Sequence, residues 1–212
     1  MEYRRQHITE EIANTAIHTA GLGLSIAALV ILVIRTSLYG DAWQVTGVSI
    51  FGASLVLLYF ASSLYHGLST TRTRPRLHIF DRCAIYILIA GTYTPFLLIT
   101  LRGGWGWSLF GLIWGLALFG ILLSSVSARK FPQSTCILYL LMGWLILVAA
   151  VPATRNLTPY VIAWLLAGGL AYSFGVLFFL STKPFRHTLW HITVLAGSTC
   201  HFFALLAIIP HG

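Results

Sequence analysis

Seven long apolar segments run through this sequence, and their length constrains the fold more than any other feature. A helix that crosses a bilayer needs about 20 mainly apolar residues, with a usual range of about 17–25. Short breaks with turn-forming or polar residues, such as SLYGD, RGGWG and PATRNLTP, separate the segments. The pattern predicts an all-α, polytopic membrane protein in which residues 1–212 form a single seven-helix domain. The predicted spans are about 15–34, 43–66, 80–101, 105–127, 134–151, 158–181 and 187–209.

The composition argues against several other classes of protein. Charged residues make up 8% of the chain, against roughly 25% in soluble domains, and the continuous apolar runs differ from the short alternating segments of membrane β-barrels. The net charge of +8 comes from short loops between apolar runs, so it indicates topology and not a nucleic-acid-binding surface. Three cysteines without paired spacing argue against a disulfide framework. The polar N-terminus and the full length of the first apolar run predict no cleavable signal peptide.

The distribution of lysine and arginine predicts the orientation of the helices. Counted over alternate loops, ten basic residues fall on the side of the N-terminus and three on the other side. Because cytoplasmic loops carry the excess of basic residues, we expect the N-terminus in the cytoplasm and the C-terminus outside. The first side holds Arg4, Arg5, Arg72, Arg74, Arg76, Arg82, Arg129, Lys130, Lys183 and Arg186, and the second holds Arg35, Arg102 and Arg155.

A small set of polar residues lies inside or at the edges of the predicted spans, where ionisable groups are costly and typical of functional sites. Under the predicted topology, His66 ends the second span, Asp81 begins the third, and His187 and His191 begin the seventh. We therefore expect three histidines and one carboxylate to meet at one depth, on the cytoplasmic side. The complete set is Glu11, Asn14, His18, Ser62, His66, Asp81, His187, His191, Ser198 and His201.

The segment HTLWH, residues 187–191, places two imidazoles one helical turn apart on the same helix face. Neutral imidazole is a good zinc ligand, and catalytic zinc sites often use three protein ligands and keep one position open. His66, from a neighbouring helix, completes a set of three histidines. The spacing therefore predicts a zinc site formed by His66, His187 and His191.

Asp81 and Ser62 are the predicted catalytic residues beside this metal. In the metalloprotease motif HExxH a glutamate follows the first histidine, but Thr188 occupies that position here, so the general base must come from another helix. Asp81 is the first candidate and Glu11 the second. Ser62 precedes His66 by about one helical turn, where it can hydrogen-bond a water or a substrate carbonyl.

Each of these residues also has a structural interpretation. Interfacial histidines can hydrogen-bond the backbone or lipid headgroups without binding any metal. Asp81 can pair with Arg82 or with loop arginines, and Ser62 can bond back to a carbonyl of its own helix. In the third span, Pro95 predicts a kink.

The remaining polar residues are assigned supporting roles. Glu11, Asn14 and His18 share one helical stripe, and they either buttress the site or cap the first helix. His201 lies ten residues beyond the HTLWH segment, about 15 Å deeper, so we expect it to make a helix-packing hydrogen bond outside the metal shell. Ser198 either lines a cavity above the metal or belongs to small-residue helix packing.

Four segments carry a resemblance to a known family: EEIANTAIH, SSLYH, HIFDRCAIYILIAGTYTPF and HTLWHITVLAGSTCHF. With them the sequence resembles the bacterial hemolysin III proteins, within the progestin and adipoQ receptor family that includes the adiponectin receptors. The short termini resemble the bacterial branch, which implies a location in the bacterial cytoplasmic (inner) membrane. The resemblance also implies a seven-helix bundle with a cytoplasmic N-terminus and zinc bound by His66, His187 and His191 near Asp81. The wider superfamily includes alkaline ceramidases, which implies metal-dependent hydrolysis of a lipid amide.

Three functions are compatible with these predictions. The first is a zinc-dependent hydrolase of a lipid amide or ester that acts in membrane-lipid homeostasis, with a membrane lipid as its partner and no nucleic acid. The second is a non-catalytic membrane regulator in which a structural zinc joins the second and seventh helices. The third is a pore or transporter, which fits the hemolysin name, although the polar residues gather at one face of the membrane instead of crossing it.

Overall fold

A computed structural model of the chain describes residues 2–127 and 132–210, and the regular structure of these residues is helical. The predicted loop that contains Arg129 and Lys130 lies outside the described residues. A π-helical turn, Phe96–Thr100, continues α3, and a 3₁₀ segment, Leu145–Ala149, joins α5 to α6. The helices are α1 (Glu2–Tyr39), α2 (Ala42–Gly67), α3 (Arg74–Pro95), α4 (Gly104–Ser127), α5 (Pro132–Gly143), α6 (Ala150–Asn156), α7 (Pro159–Phe179) and α8 (Arg186–Leu206).

In the part of the chain that the structure describes, seven helical stretches are long and apolar enough to cross a membrane. This confirms the predicted all-α fold with seven spans, and the chain is a multi-pass membrane protein. The fifth span is composite, because α5, the 3₁₀ segment and α6 cross together. The spans are Ile8–Tyr39, Ala42–Gly67, Arg74–Thr100, Gly104–Val126, Thr135–Asn156, Pro159–Phe179 and Arg186–Leu206.

Two helices begin earlier than the apolar segments predict. α1 begins at Glu2 instead of near residue 15, and α3 begins at Arg74 instead of near residue 80. Asn14, which precedes the predicted first span, faces the bundle, since it is only 3% exposed. Pro75 lies in the first turn of α3, where its missing N–H removes no intrahelical bond. A prediction from hydropathy alone assigns such polar first turns of a helix to the preceding loop.

The third and fifth spans both depart from α-helical geometry, and they contact each other at this level. α3 passes into its π-helical turn directly after Pro95, at the place where the sequence predicts a kink. Tyr93 lies on α3, in the third span. Its hydroxyl donates to the carbonyl of Gly143 (2.8 Å) and accepts the N–H of Ile146 (2.9 Å), and both of these residues lie in the fifth span. Because unsatisfied backbone groups are costly in lipid, this one side chain lets the fifth span break beside the third.

The helices that position the polar residues pack closely together. α1 packs against α2 and α8, α2 packs against α3, and α7 packs against α8. A Cβ at Gly21 of α1 would lie 2.5 Å from the ring of Tyr59 on α2, so glycine permits this close approach. Leucine, isoleucine and phenylalanine side chains stay exposed on α1, α4 and α7, as expected for surfaces that face lipid.

Candidate metal centre

Four histidines from three helices meet at one end of the bundle. His18 comes from α1, His66 from α2, and His187 and His191 from α8. The ring centroid of His191 lies 4.1 Å from that of His18, 4.4 Å from that of His187 and 4.8 Å from that of His66. The ring of His66 lies 5.4 Å from His187 and 5.7 Å from His18. His191 is therefore the centre of the cluster.

The donor nitrogens of His18, His66 and His191 lie within 4.8 Å of one another, and all three residues are buried. Two nitrogens that each lie about 2.0–2.1 Å from one zinc ion are at most about 4.2 Å apart, so small side-chain rotations bring the set onto a single ion. Both ring nitrogens of His18 and Nε2 of His66 and His191 have no hydrogen-bond partner among the described residues. Buried polar atoms are normally satisfied, so this donor set fits a metal ion.

The predicted ligands His66, His187 and His191 all belong to this cluster. The structure adds His18, which the sequence places among the supporting residues. His18 is 2% exposed and belongs to the closest donor set, whereas His187 is half-buried at the edge of the cluster. His66 and His191 are common to the predicted set and to the closest set.

A carboxylate fixes the orientation of the His66 ring. Glu11 Oε2 lies 2.7 Å from His66 Nδ1, and Arg74 Nη2 lies 2.5 Å from Glu11 Oε1. The carboxylate favours the tautomer with the proton on Nδ1, which leaves Nε2 with its lone pair facing the cluster. Glu11 is the second candidate for the general base in the sequence analysis, and its contacts favour the buttressing role instead.

The first helix also holds the start of α8. Thr188 donates its hydroxyl to Asn14 Oδ1 at 2.7 Å. One turn nearer the N-terminus, the Glu10 carboxylate accepts the backbone N–H of Phe185, whose φ of 57° is left-handed. Thr188, which replaces the glutamate of HExxH, therefore anchors the helix that carries two of the histidines.

Ser62 and Asp81 form a pair beside the histidines. Ser62 donates its hydroxyl to Asp81 Oδ1. A serine has one proton to donate, so this contact replaces the bond to a helix carbonyl that was its structural interpretation. Ser62 is 2% exposed, and the pair lines the same internal cavity as His18 and His191.

That cavity has a volume of about 200 Å³ and extends from the histidines into the bundle. Its polar end is formed by His18, His187 and His191 of the cluster, with Ser62 and Asp81. Side chains from α2, α3, α5, α7 and α8 form its mainly apolar walls, among them Leu58, Ile89, Leu140, Val176 and Val194. Such a lining suits an apolar chain with a polar head at the histidines.

A second polar group lies deeper in the bundle. Tyr59 donates its hydroxyl to Ser198 Oγ (2.9 Å), and the hydroxyl of Tyr172 lies 2.9 Å from the same oxygen. The His201 ring lies 5.5 Å from that of Tyr172 on α7, and the helix-packing hydrogen bond expected for it stays a prediction. Neither tyrosine is predicted from the sequence as part of a site, because tyrosine is common at membrane interfaces. Their positions inside spans, where a buried hydroxyl needs a partner, are the signal that identifies them.

Comparison with known proteins gives one family over nearly the whole chain. Residues 6–202 match the family model described as Haemolysin-III related. Hemolysin-3 of Bacillus cereus is 48% identical over 202 residues, which cover 95% of this chain and 92% of that protein. The Hemolysin-3 homolog of Bacillus subtilis (strain 168) is 44% identical, with 94% of each chain covered. Monocyte to macrophage differentiation factor of Homo sapiens is 29% identical, over 92% of this chain and 83% of that protein. No solved structure matches the chain.

Proposed function

The chain belongs to the haemolysin-III related family, and from this premise we propose that it is a zinc-dependent hydrolase of a membrane-lipid amide or ester. One observation carries the proposal. Buried imidazole nitrogens without hydrogen-bond partners in the described chain converge beside the Ser62–Asp81 pair, at the polar end of an apolar cavity. A donor set that fits a metal, an acid–base group and a space suited to an acyl chain thus meet at one place.

His66 and His191 are the ligands on which the proposal rests, because they belong to both candidate sets. The third imidazole is His187 in the set predicted from sequence and His18 in the closest donor set. When bound, zinc supplies Lewis-acid chemistry, since it polarises a carbonyl oxygen and makes water more acidic. Zinc is proposed over other metals because an all-imidazole donor set suits it.

The residues of the chain supply the rest of the chemistry. Asp81 accepts a proton from the attacking water and returns it to the leaving nitrogen or oxygen. Ser62 holds the Asp81 carboxylate in place through its hydroxyl. Glu11 holds the His66 ring, and the apolar cavity walls keep bulk water away from the acyl chain. These roles need no residue from another chain.

The proposed site faces the cytoplasm from within the bacterial inner membrane. Ten basic residues on the N-terminal side against three on the other support this orientation. An open hollow between α1 and α2, lined by Thr15, His66 and Arg74, reaches one histidine of the cluster. It offers a route for water and for polar product between the site and the membrane surface.

Lipid hydrolysis by purified protein tests the proposal. The protein, reconstituted in vesicles of bacterial lipids with added ceramide, is incubated with zinc, and released fatty acid is measured by mass spectrometry. Asp81→Asn should abolish the release. Asp41→Asn is the matched control, because Asp41 caps α2 away from the site and asparagine is an equally good cap. Equal release by wild type and Asp81→Asn would contradict the mechanism.

A second candidate function follows from the number of histidines. Four imidazoles around one ion would form a closed shell, which is typical of structural zinc and not of catalytic zinc. The chain would then be a non-catalytic membrane regulator in which the metal joins α1, α2 and α8. This function predicts that zinc raises thermal stability while no lipid is hydrolysed.

A further inference from the structure

One buried tyrosine touches every helix that supplies the histidine cluster. Tyr59 lies on α2 and is 1% exposed. Its ring centroid lies 5.7 Å from that of His18 on α1, and a Cβ at Gly21 of the same helix would lie 2.5 Å from the ring. Its hydroxyl donates to Ser198 Oγ on α8 at 2.9 Å. Tyr59 therefore links α2 to both α1 and α8.

The spacing along the helices relates this tyrosine to the metal centre. Tyr59 precedes His66 by seven residues on α2, and Ser198 follows His191 by seven residues on α8. Seven residues are about two helical turns, so each pair shares one helix face and is separated by about 10 Å along the axis. The same two faces therefore meet twice. The rings of His66 and His191 lie 4.8 Å apart, and the hydrogen bond from Tyr59 joins the helices two turns deeper.

Long side chains, and not close backbone packing, join these two faces. α1 packs closely against both α2 and α8, but α2 and α8 are not among the closely packed helix pairs of residues 2–127 and 132–210. One contact between two helices leaves them able to rotate or slide about it, whereas two contacts two turns apart fix both the rotation and the register. The hydrogen bond from Tyr59 is therefore placed to determine how His66 and His191 face each other.

A second hydroxyl at Ser198 provides a matched comparison. The hydroxyl of Tyr172 also lies 2.9 Å from Ser198 Oγ, but Tyr172 belongs to α7, which carries none of the four histidines. Loss of either tyrosine hydroxyl leaves Ser198 with one partner, so neither loss leaves a buried polar group unpaired. The two losses differ because only Tyr59 joins two helices that carry histidines of the cluster.

We propose that Tyr59 is a positioning residue of the metal centre. Through Ser198 it sets the rotation and register of α8 against α2 that bring His191 onto the same ion as His66. A metal ion on these two histidines joins the same helices as the hydrogen bond, so each of the two links favours the other. The inference rests on the proposed function in one respect, because it takes the histidine cluster as a zinc site. It adds a residue outside the ligand set on which zinc affinity depends.

The zinc affinity of the purified full-length protein tests this role, measured by competition with a chromophoric chelator. The net contribution of one hydrogen bond changes an equilibrium constant by about 2- to 12-fold. Tyr59→Phe keeps the ring against His18 and removes only the hydroxyl, so it should weaken zinc binding by a factor in this range. Tyr172→Phe is the matched control, and it should change zinc affinity by less than about twofold.

Cobalt(II) in place of zinc gives a readout that a general loss of stability does not move. The absorption bands of bound cobalt report the geometry of the ligands around the ion. These bands should shift in Tyr59→Phe, because His191 no longer faces His66 as in wild type. They should be unchanged in Tyr172→Phe.

Two further variants locate the effect in the hydrogen bond itself. Ser198→Ala removes the acceptor and should weaken zinc binding at least as much as Tyr59→Phe does. Because both residues act through one bond, the double variant should lose no more zinc affinity than Ser198→Ala alone, whereas independent effects would add. If Tyr59→Phe does not fold, the comparison of Ser198→Ala with Tyr172→Phe still decides.

The outcomes separate this inference from the proposed function. The positioning role is wrong, while the metal centre stands, if wild type and Tyr59→Phe bind zinc equally or if Tyr172→Phe loses as much affinity. Additive losses in the double variant would also overturn it. If wild type binds no zinc, the metal centre of the proposed function fails, and the role of Tyr59 fails with it.

Discussion

The contact between Glu11 and His66 gives a prediction with a calculable size. The perturbation is Glu11→Gln, which keeps the shape of the side chain and removes its charge. Glu11 is 13% exposed and lies 2.7 Å from His66 Nδ1, so the contact is a partly buried, charge-assisted hydrogen bond. Loss of such a carboxylate behind a metal-binding histidine typically weakens metal affinity 10- to 100-fold. That range corresponds to about 1.4–2.7 kcal/mol of binding free energy.

The assay is competition for zinc between the purified protein and a chromophoric chelator of known affinity. Glu10→Gln is the matched control, because Glu10 is the neighbouring carboxylate and contacts the backbone of Phe185 instead of a histidine. Glu10→Gln should change zinc affinity by less than about threefold, in keeping with the small effects of changes away from the ligands. Equal zinc affinity in Glu11→Gln and wild type, or an equal loss in the two variants, would refute the assignment of Glu11 as the group that positions His66.

Two further predictions concern stability and are checked by thermal unfolding in detergent. Gly120→Ala places a Cβ 2.3 Å from the Tyr86 ring, so it should lower the melting temperature by an amount equivalent to about 1–3 kcal/mol. Gly111→Ala is the control on the same helix. Its Cβ would have no other atom within 4 Å, so this variant should be neutral or stabilising. Tyr93→Phe removes the hydroxyl that satisfies the broken fifth span and should cost about 1–3 kcal/mol. Tyr160→Phe, at a side chain 60% exposed, should leave the melting temperature unchanged. Equal melting temperatures within either pair would contradict the corresponding contact.

The number of spans is predictable from sequence because a bilayer imposes one length on every crossing helix. The start of α1 is not predictable in this way, because hydropathy falls at polar residues such as Asn14, which precedes the apolar segment. Asn14 faces the bundle and not solvent, since it is only 3% exposed. A sliding-window hydropathy average does not distinguish a polar residue that faces the bundle from one that faces water.

The membership of the site is only partly predictable. The depth of His66, His187 and His191 follows from the topology, because each lies at the end of a span on one side. The rotation of α1 about its own axis does not follow, because it depends on packing against both α2 and α8. The stripe of Glu11, Asn14 and His18 therefore indicates one shared face, and only the fold shows that this face brings His18 within 4.1 Å of His191.

The second polar group, which lies deeper in the bundle, is also not predictable from sequence. Tyr59, Tyr172 and Ser198 are separated by up to 139 residues in the chain. Each is common in membrane helices, so no spacing rule connects them. Their hydrogen bonds arise from the packing of α2, α7 and α8. The apolar composition of these segments predicts that they are spans, but it does not predict which of their residues face one another.

The metal content of the purified protein tests the central claim most directly. Inductively coupled plasma mass spectrometry should find about one zinc ion per wild-type chain after expression with added zinc. His66→Ala and His191→Ala should lose this ion, and His201→Ala, about 15 Å deeper, should keep it; comparison of His18→Ala with His187→Ala identifies the third ligand. Wild-type protein that binds no metal, or His191→Ala protein that keeps a full complement, would contradict the existence of this centre.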